Sequence, residues 1–447
     1  CSVVYHLSLI ILLYREAHYS FGGFEFGYIF VSAQRRRGEM EEIMKDILGG
    51  VCAPIGFSAN GIHAGMRKNK SKKDLSLIVS EELCTAAATY TQNKVKGAPL
   101  TVTKQHLKNG RARAIICNSG NANTCNSNGI ELANEVCALA AKELGLKEDD
   151  IIVASTGVIG QPMSIDPFKA HMKELVKGLN VDGSHDACYG IMTTDTQPKE
   201  YAVEFKLGNA KCHIGAIAKG SGMIHPNIAT MLAFVTSDVA ISKECLEAMV
   251  HEVVDDTFNM VSVDGDTSTN DMLCVLSNGM AQNNKIVLKD QSYNIMKDAL
   301  YHICEQLSRG IAKDGEGATK LLTCNVKNAK TLQDAKIVAK SVITSTLFKA
   351  AMFGRDANWG RILCAIGYSD ADLDINKVSV TLASSAGDIH VCEKGMGVIF
   401  DEEKALKVLS EDEIDINIDL NDGIWDATAW GCDLTYDYVK INGEYRT

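Results

Sequence analysis

From about residue 40 the chain alternates short apolar runs with longer stretches in which apolar residues recur every three or four positions. Segment 112–117 (ARAIIC) is a run of the first kind and opens into NSGNAN at 118–123. A short apolar run closed by turn residues predicts a buried strand. Segment 129–144 is of the second kind and places Ile130, Ala133, Val136, Ala140 and Leu144 on one helical face. A second buried strand is predicted over 150–154, ending in STGVIG at 155–160. Segments 201–207 and 211–218 alternate apolar and polar residues and predict a hairpin. Amphipathic helices are predicted over 242–258 and 288–307, and strands over 377–382, 389–392, 414–420 and 432–441. Long helices mixed with antiparallel-looking strands predict an α/β (α+β layered) fold, with stacked β-sheets flanked by helix layers.

Size and composition narrow the class. At 447 residues the chain suits two or three packed units, and with only six prolines and no repeat or linker those units should pack tightly. Hydrophobic residues at 46% and charged residues at 23% are globular values. A net charge of -11 and a pI near 5.5 oppose a nucleic-acid backbone. No apolar run is long enough for a membrane span, so neither nucleic acid nor membrane is an expected partner. Fifteen cysteines without a CxxC pair, in a chain able to build its own core, fit reduced thiols in the cytoplasm.

Residues 1–39 differ from the rest. An apolar run over 3–14 is followed by clustered aromatics that include Phe21, Phe24, Phe26 and Tyr28, without the flanks of a signal peptide. Arg35-Arg36-Arg37-Gly38-Glu39 before Met40 has codons that can be purine-rich, as a translated ribosome-binding site would be. The expectation is that residues 1–39 are a non-native upstream extension and that the natural start is Met40.

Several chemistries drop out. His251-Glu252 begins a zinc-binding HExxH, but Asp255 stands where the second histidine belongs. Gly315-Glu316-Gly317 lacks the third glycine of a dinucleotide loop and places an acid where phosphate would sit, and there is no GxSxG elbow. No metal and no cofactor is expected. Hydroxyl-rich turns of small residues remain. KGSGMIHPNIATMLAF at 219–234 combines glycines that permit close backbone approach with a stiffening Pro226. A hydroxyl such as that of Thr230 needs a base, and the α-amino group of the same residue serves once it becomes an N-terminus. Thr156 and Gly157 follow a strand, where a hydroxyl and a backbone N–H can hold an oxyanion. Taken singly, such turns are more often structural than catalytic.

Together the motifs resemble the ArgJ family of ornithine acetyltransferases, also called glutamate N-acetyltransferases. The resemblance runs through CNSGNANTC (117–125), ASTGVIG (154–160), MTTDTQPK (192–199), KGSGMIHPNIATMLAF (219–234), SVDGDTSTND (262–271), KDGEGATK (313–320), FGRDANWGRI (353–362) and the terminal AWGCDLTYDYVKINGEYRT (429–447). It spans about residue 48 to the end. It implies a DmpA/ArgJ-like layered fold, cut by the chain itself between Ala229 and Thr230 into an α chain (40–229) and a β chain (230–447) that stay together, as a heterotetramer. It implies an autoproteolytically activated enzyme of arginine biosynthesis, in which Thr230 takes the acetyl group of N2-acetylornithine and passes it to L-glutamate in a ping-pong cycle. Acetyl-CoA is left open as a second donor. Thr156 and Gly157 match the oxyanion donors, and Thr193, Lys219, Thr230, Glu316, Asn442 and Thr447 the substrate contacts. Charge suggests Lys219 for a substrate carboxylate and Glu316 for an amine. The bland alternatives are a solvated Lys219–Glu316 pair, an Asn442 that caps a strand end, a frayed Thr447, and buried apolar roles for Cys117, Cys125 and Cys432. His225 stands where relatives often carry Ala, and 345–349 (STLFK) departs from the family pattern. A different class stays open: an N-terminal-nucleophile amidase or aminopeptidase of similar fold, which passes the acyl group to water.

Overall fold

The structure, a computed structural model, describes residues 44–225 and 231–444. All but Met44 belong to one compact unit, Lys45–Thr447. Among the described residues the strands form two sheets. Nine make the first: β1 (Met44–Ile47), β2 (Phe57–Ile62), β3 (Leu75–Tyr90), β4 (Arg111–Asn118), β5 (Ile151–Ser155), β6 (Lys199–Leu207), β7 (Ala210–Lys219), β8 (Leu232–Ser237) and β10 (Met272–Ser277). The second holds β9 (Val261–Ser262), β11 (Leu321–Ala329), β12 (Ser379–Ser384), β13 (Gly387–Glu393), β14 (Met396–Gly397), β15 (Glu413–Asp419) and β16 (Trp425–Cys432).

Strand β3 is the organising element of the first sheet. Its first half pairs with β2 and β4 and its second half with β10, and its register against β4 shifts between Val79 and Cys84. Such irregularities bend a strand and raise its twist. The sheet thereby folds over itself. Ile115, Cys117, Ile152 and Ala154 from β4 and β5 share one core cluster with Ile217, Leu232, Phe234, Met272 and Cys274 from β7, β8 and β10. Strand periodicity sends the alternate residues Ala114, Ile116, Ile151 and Val153 to the opposite face. There they meet α2 (Gly129–Leu144) and α3 (Asp166–Lys177), introduced after α1 (Ala98–His106). Burial on both faces explains why β4 and β5 read as continuous apolar runs.

Helices α4 (Ser184–Ile191), α5 (Lys243–Asp256) and α6 (Gln291–Lys313) follow. Helix α6 packs on β6 and β7 of the first sheet and on β11 and β16 of the second, so it is the layer between them. Helix α7 (Leu332–Thr344) covers β11 and β16, α8 (Thr346–Phe353) and α9 (Trp359–Gly367) pack beside it, and α10 (Glu402–Val408) lies against β12 and β13. The layered α/β prediction is met. Among the described residues no helix is long and apolar enough to cross a membrane.

Three details correct the sequence reading. The predicted strand 432–441 is instead the end of β16 followed by α11 (Tyr436–Gly443). Thr435 causes the change: its hydroxyl accepts from the Tyr438 N–H as a helix N-cap and donates to the Gly317 carbonyl at 2.6 Å. In α2, Ile130 is 48% exposed, and the buried face runs through Leu132, Cys137 and Ala141 as well as Ala133, Val136 and Ala140. Cys125 is exposed, whereas Cys117 and Cys432 are buried, and every described cysteine is a free thiol. Residues 1–39 lie outside the described residues.

Candidate functional site

The end of β4 and the end of β5 are locked side by side. Asn118 donates from Nδ2 to the Ser155 hydroxyl at 2.6 Å, and its Oδ1 accepts from the Asn121 N–H at 3.1 Å. The Thr156 N–H donates to the Asn118 carbonyl at 2.9 Å. Gly157 then turns with φ +125°, and a Cβ there would lie 2.7 Å from the Gly120 carbonyl carbon. Only glycine fits that turn without strain. Asn270 fastens it from the other layer, donating to the carbonyls of Ala122 at 2.6 Å and Ser155 at 2.9 Å.

Lys219, the last residue of β7, reaches across to this turn and donates from Nζ to the Thr156 hydroxyl oxygen at 3.3 Å. It is 9% exposed. Burial lowers its pKa, against the opposing pull of the Asp195 and Asp271 carboxyls. Because Thr156 accepts from Lys219, its own O–H proton remains to be donated elsewhere.

The segment after Lys219 is pinned residue by residue. Gly220 N–H donates to Asp195 Oδ1 at 2.7 Å, and the Ser221 hydroxyl to the Asp314 carbonyl at 2.6 Å. The Met223 and Ile224 N–H groups converge on the Asp264 carboxylate at 2.6 and 2.9 Å. Thr267 Oγ1 donates to the His225 carbonyl at 2.9 Å, and the His225 ring lies 3.1 Å from the Ser262 hydroxyl. Burial, and secondarily Lys340, lowers the His225 pKa to about 4. On the far side of 226–230, Met231 accepts from the Met272 N–H at 2.9 Å.

Glu316 closes the other flank. It is 8% exposed, its N–H donates to the Ser221 carbonyl at 3.0 Å, and its Oε2 accepts from Asn442 Nδ2 at 2.8 Å. A Cβ on Gly222 would come within 2.4 Å of the Glu316 carboxyl carbon, so any side chain there would displace that carboxylate. Lys219 and Glu316 are each buried with partners of their own, which replaces the solvated-pair reading. Asn442 sits on α11 and not at a strand end. Thr193 donates its N–H to Asp195 Oδ2 at 2.9 Å.

The structure thus brings Thr156, Gly157, Thr193, Lys219, Glu316 and Asn442 around the 219–225 segment. Ala229, Thr230 and Thr447 lie outside the described residues. Sequence reasoning passed over Asp195, Lys199, Asp264, Asp271 and Asp314, although each lies inside one of the quoted motifs. For the four acids the only signal available was a carboxylate within two positions of glycine or a hydroxyl residue, which turns and caps also carry, and Lys199 had none. Asp271 is buried with Oδ2 lacking a hydrogen-bond partner among the described residues, and burial pushes its carboxyl well above the usual range. The departures at 345–349 keep a buried role: Ser345 caps α8, and Lys349 donates to the Val263 carbonyl. A separate cleft of about 460 Å³, lined by Tyr90, Lys104, Glu247 and His251, holds none of these residues.

Residues 58–447 match the profile described as the ArgJ family. The arginine biosynthesis bifunctional protein ArgJ 1 of Clostridium acetobutylicum is 49% identical over 392 residues, covering 88% of this chain and 96% of that protein. The arginine biosynthesis bifunctional protein ArgJ of Caldanaerobacter subterraneus is 47% identical over 405 residues, covering 90% of this chain and all of the relative. Among solved structures, the ornithine acetyltransferase of Mycobacterium tuberculosis in complex with ornithine aligns at 32% identity and a TM-score of 0.38, covering 42% of this chain and 100% of that one.

Proposed function

Because the chain belongs to the ArgJ family, we propose that it transfers the acetyl group of N2-acetylornithine to L-glutamate through an acetyl-Thr230 intermediate. One observation carries the reading. The Thr156 hydroxyl and Lys219 ammonium on one flank, and the Glu316 carboxylate and Asn442 amide on the other, are gathered by the segment that leads into Thr230. Two buried opposite charges, each with its own partners, suit an amino acid that carries both a carboxylate and an ammonium.

The steps are those of an N-terminal nucleophile. Thr230 Oγ attacks the Ala229 carbonyl, the C–N bond breaks, and water cleaves the resulting ester, leaving Thr230 with a free amine. That amine takes the hydroxyl proton as Oγ attacks the acetyl carbonyl of acetylornithine. Thr156 O–H and Gly157 N–H hold the oxyanion. The tetrahedral intermediate collapses with loss of ornithine, whose departing nitrogen takes back the proton. Glutamate enters with a neutral amine, accepts the acetyl group, and leaves as N-acetylglutamate with Thr230 restored. One site serving both amino acids in turn gives ping-pong kinetics. The proposal includes α and β chains that remain associated as a heterotetramer, in the reducing cytoplasm that suits fifteen cysteines. It also includes acetyl-CoA as a second donor.

The test is acetylglutamate formation by the purified protein, with acetylornithine and, separately, acetyl-CoA as donor. Transfer from acetylornithine is the expected result. Release of acetate with no dependence on glutamate would favour an amidase instead, and inactivity of the acetyl-CoA arm alone would remove only the second donor.

A further inference from the structure

We propose that Asp195 is the positioning residue of this site: its buried carboxylate holds three site-bearing segments in register and supplies the counter-charge for the Lys219 ammonium. The inference rests on the reading of Lys219 as the contact for a substrate carboxylate. Asp195 is 5% exposed, and its side chain is fully buried. Its Oδ1 accepts from the Gly220 N–H at 2.7 Å and from Lys199 Nζ at 2.8 Å, and its Oδ2 accepts from the Thr193 N–H at 2.9 Å. Lys199 extends the cluster by donating to Asp314 Oδ2 at 2.6 Å. The Asp314 carboxylate receives the Thr196 N–H at 3.1 Å, and its carbonyl receives the Ser221 hydroxyl at 2.6 Å. One connected group of charges therefore ties together the loop with Thr193, the strand end with Lys219, and the turn with Glu316.

The same cluster decides the charge of Lys219. Asp195 sits beside this strand end through its bond to the Gly220 N–H. The titratable groups whose charge acts on the Lys219 ammonium are Asp195 from the 192–199 loop, Lys199 from the start of β6, Asp271 from the approach to β10, and the Cys117 thiol of β4. The Thr156 hydroxyl is its hydrogen-bond acceptor. Cys117 is buried and its thiol is pushed up to about 12, so it brings no charge at neutral pH. Burial also drives Asp271 toward its protonated form. Burial opposes ionisation of Asp195 as well, but Lys199 and Lys219 overcome it and hold the carboxyl below the usual range. Asp195 and Asp314 then balance Lys199 and Lys219. Of the two carboxyls that act on Lys219, Asp195 is held below the usual range and Asp271 above it. A buried lysine without a counter-charge would give up its proton.

The experiment compares the pH dependence of kcat/KM for acetyl transfer in wild type, Asp195→Asn and Lys199→Gln, with self-cleavage followed alongside. Substrate titration is common to all three and cancels. In Asp195→Asn the alkaline limb should move to lower pH by about one unit or more, with KM for acetylornithine rising about tenfold or more. An unmoved limb with activity lost through kcat alone would make Asp195 a fold support and overturn the proposal. Should Asp195→Asn fail to fold, Lys199→Gln decides: removing the like charge should move the limb to higher pH, and an unmoved or lowered limb overturns the proposal. An inactive wild type would instead defeat the acetyl-transfer reading. The Lys219 titration, followed by NMR of 13C-labelled lysine in wild type and Asp195→Asn, still tests the charge claim in that case.

Discussion

Replacing Glu316 by Gln asks whether its charge serves the substrate or the fold. The substitution keeps shape and length, and the side-chain oxygen can still accept from Asn442 Nδ2, now 2.8 Å from Oε2. The Glu316 N–H that binds the Ser221 carbonyl is untouched. What disappears is a buried negative charge, 8% exposed, beside the 219–225 segment. A charge-assisted contact to an ammonium contributes about 1.5–3 kcal/mol, which at about 1.4 kcal/mol per decade is a loss of roughly 10- to 150-fold in kcat/KM for acetylornithine. Self-cleavage needs the turn, the Thr230 hydroxyl and the oxyanion donors, and no ammonium. Steady-state kinetics with acetylornithine, set against the rate at which the full chain converts to two fragments, should therefore show a large loss in the first and less than about threefold in the second. Equal losses in both would refute the substrate role and make Glu316 part of the scaffold.

Gly157→Ala should lower stability by about 1–3 kcal/mol through the strained φ and slow both cleavage and transfer, since the new Cβ meets the Gly120 backbone at 2.7 Å; wild-type thermal stability would contradict the assigned geometry. His225 is held near 4 against an ordinary 6.5, so between those values the unfolded chain binds the extra proton and stability falls as pH falls. His225→Ala should flatten that part of the denaturation profile, and an unchanged slope between pH 6.5 and 4 would reject the assignment. Asn442→Ala should weaken ornithine binding by a few-fold, roughly the 0.5–1.5 kcal/mol of one hydrogen bond, with cleavage intact; isothermal titration with ornithine checks it, and unchanged affinity would remove Asn442 from the substrate contacts.

What the chain discloses by itself depends on the range over which the cause acts. Strands β4 and β5, the β6–β7 hairpin and helix α2 were legible because each is set by local periodicity and the turn residues beside it. Helix α11 was missed because its apolar residues, among them Tyr436 and Val439, are 83% and 69% exposed, so no buried face marks it. Its start depends on a cap at Thr435 that also bonds Gly317, 118 positions away. The folding of the first sheet over itself was equally out of reach, since the bend in β3 matters only through the layer it brings over β4. In the candidate site, Lys219 and Glu316 were singled out through motif resemblance, and Thr156 also by its place in the turn after a strand. The Asp195–Lys199–Asp314 cluster was not, because it joins positions 115 residues apart and only burial gives it meaning.

The central claim is that Thr230 becomes an N-terminal nucleophile and carries the acetyl group. The most direct measurement is the intact mass of the denatured chains before and after brief exposure to acetylornithine, then after glutamate. The account predicts two fragments split between Ala229 and Thr230. The C-terminal fragment should gain the mass of one acetyl group with acetylornithine and return to its original mass with glutamate, while Thr230→Ala stays whole and unlabelled. A Thr230→Ala chain cut at the same bond, or an acetyl group found on the N-terminal fragment, would contradict it.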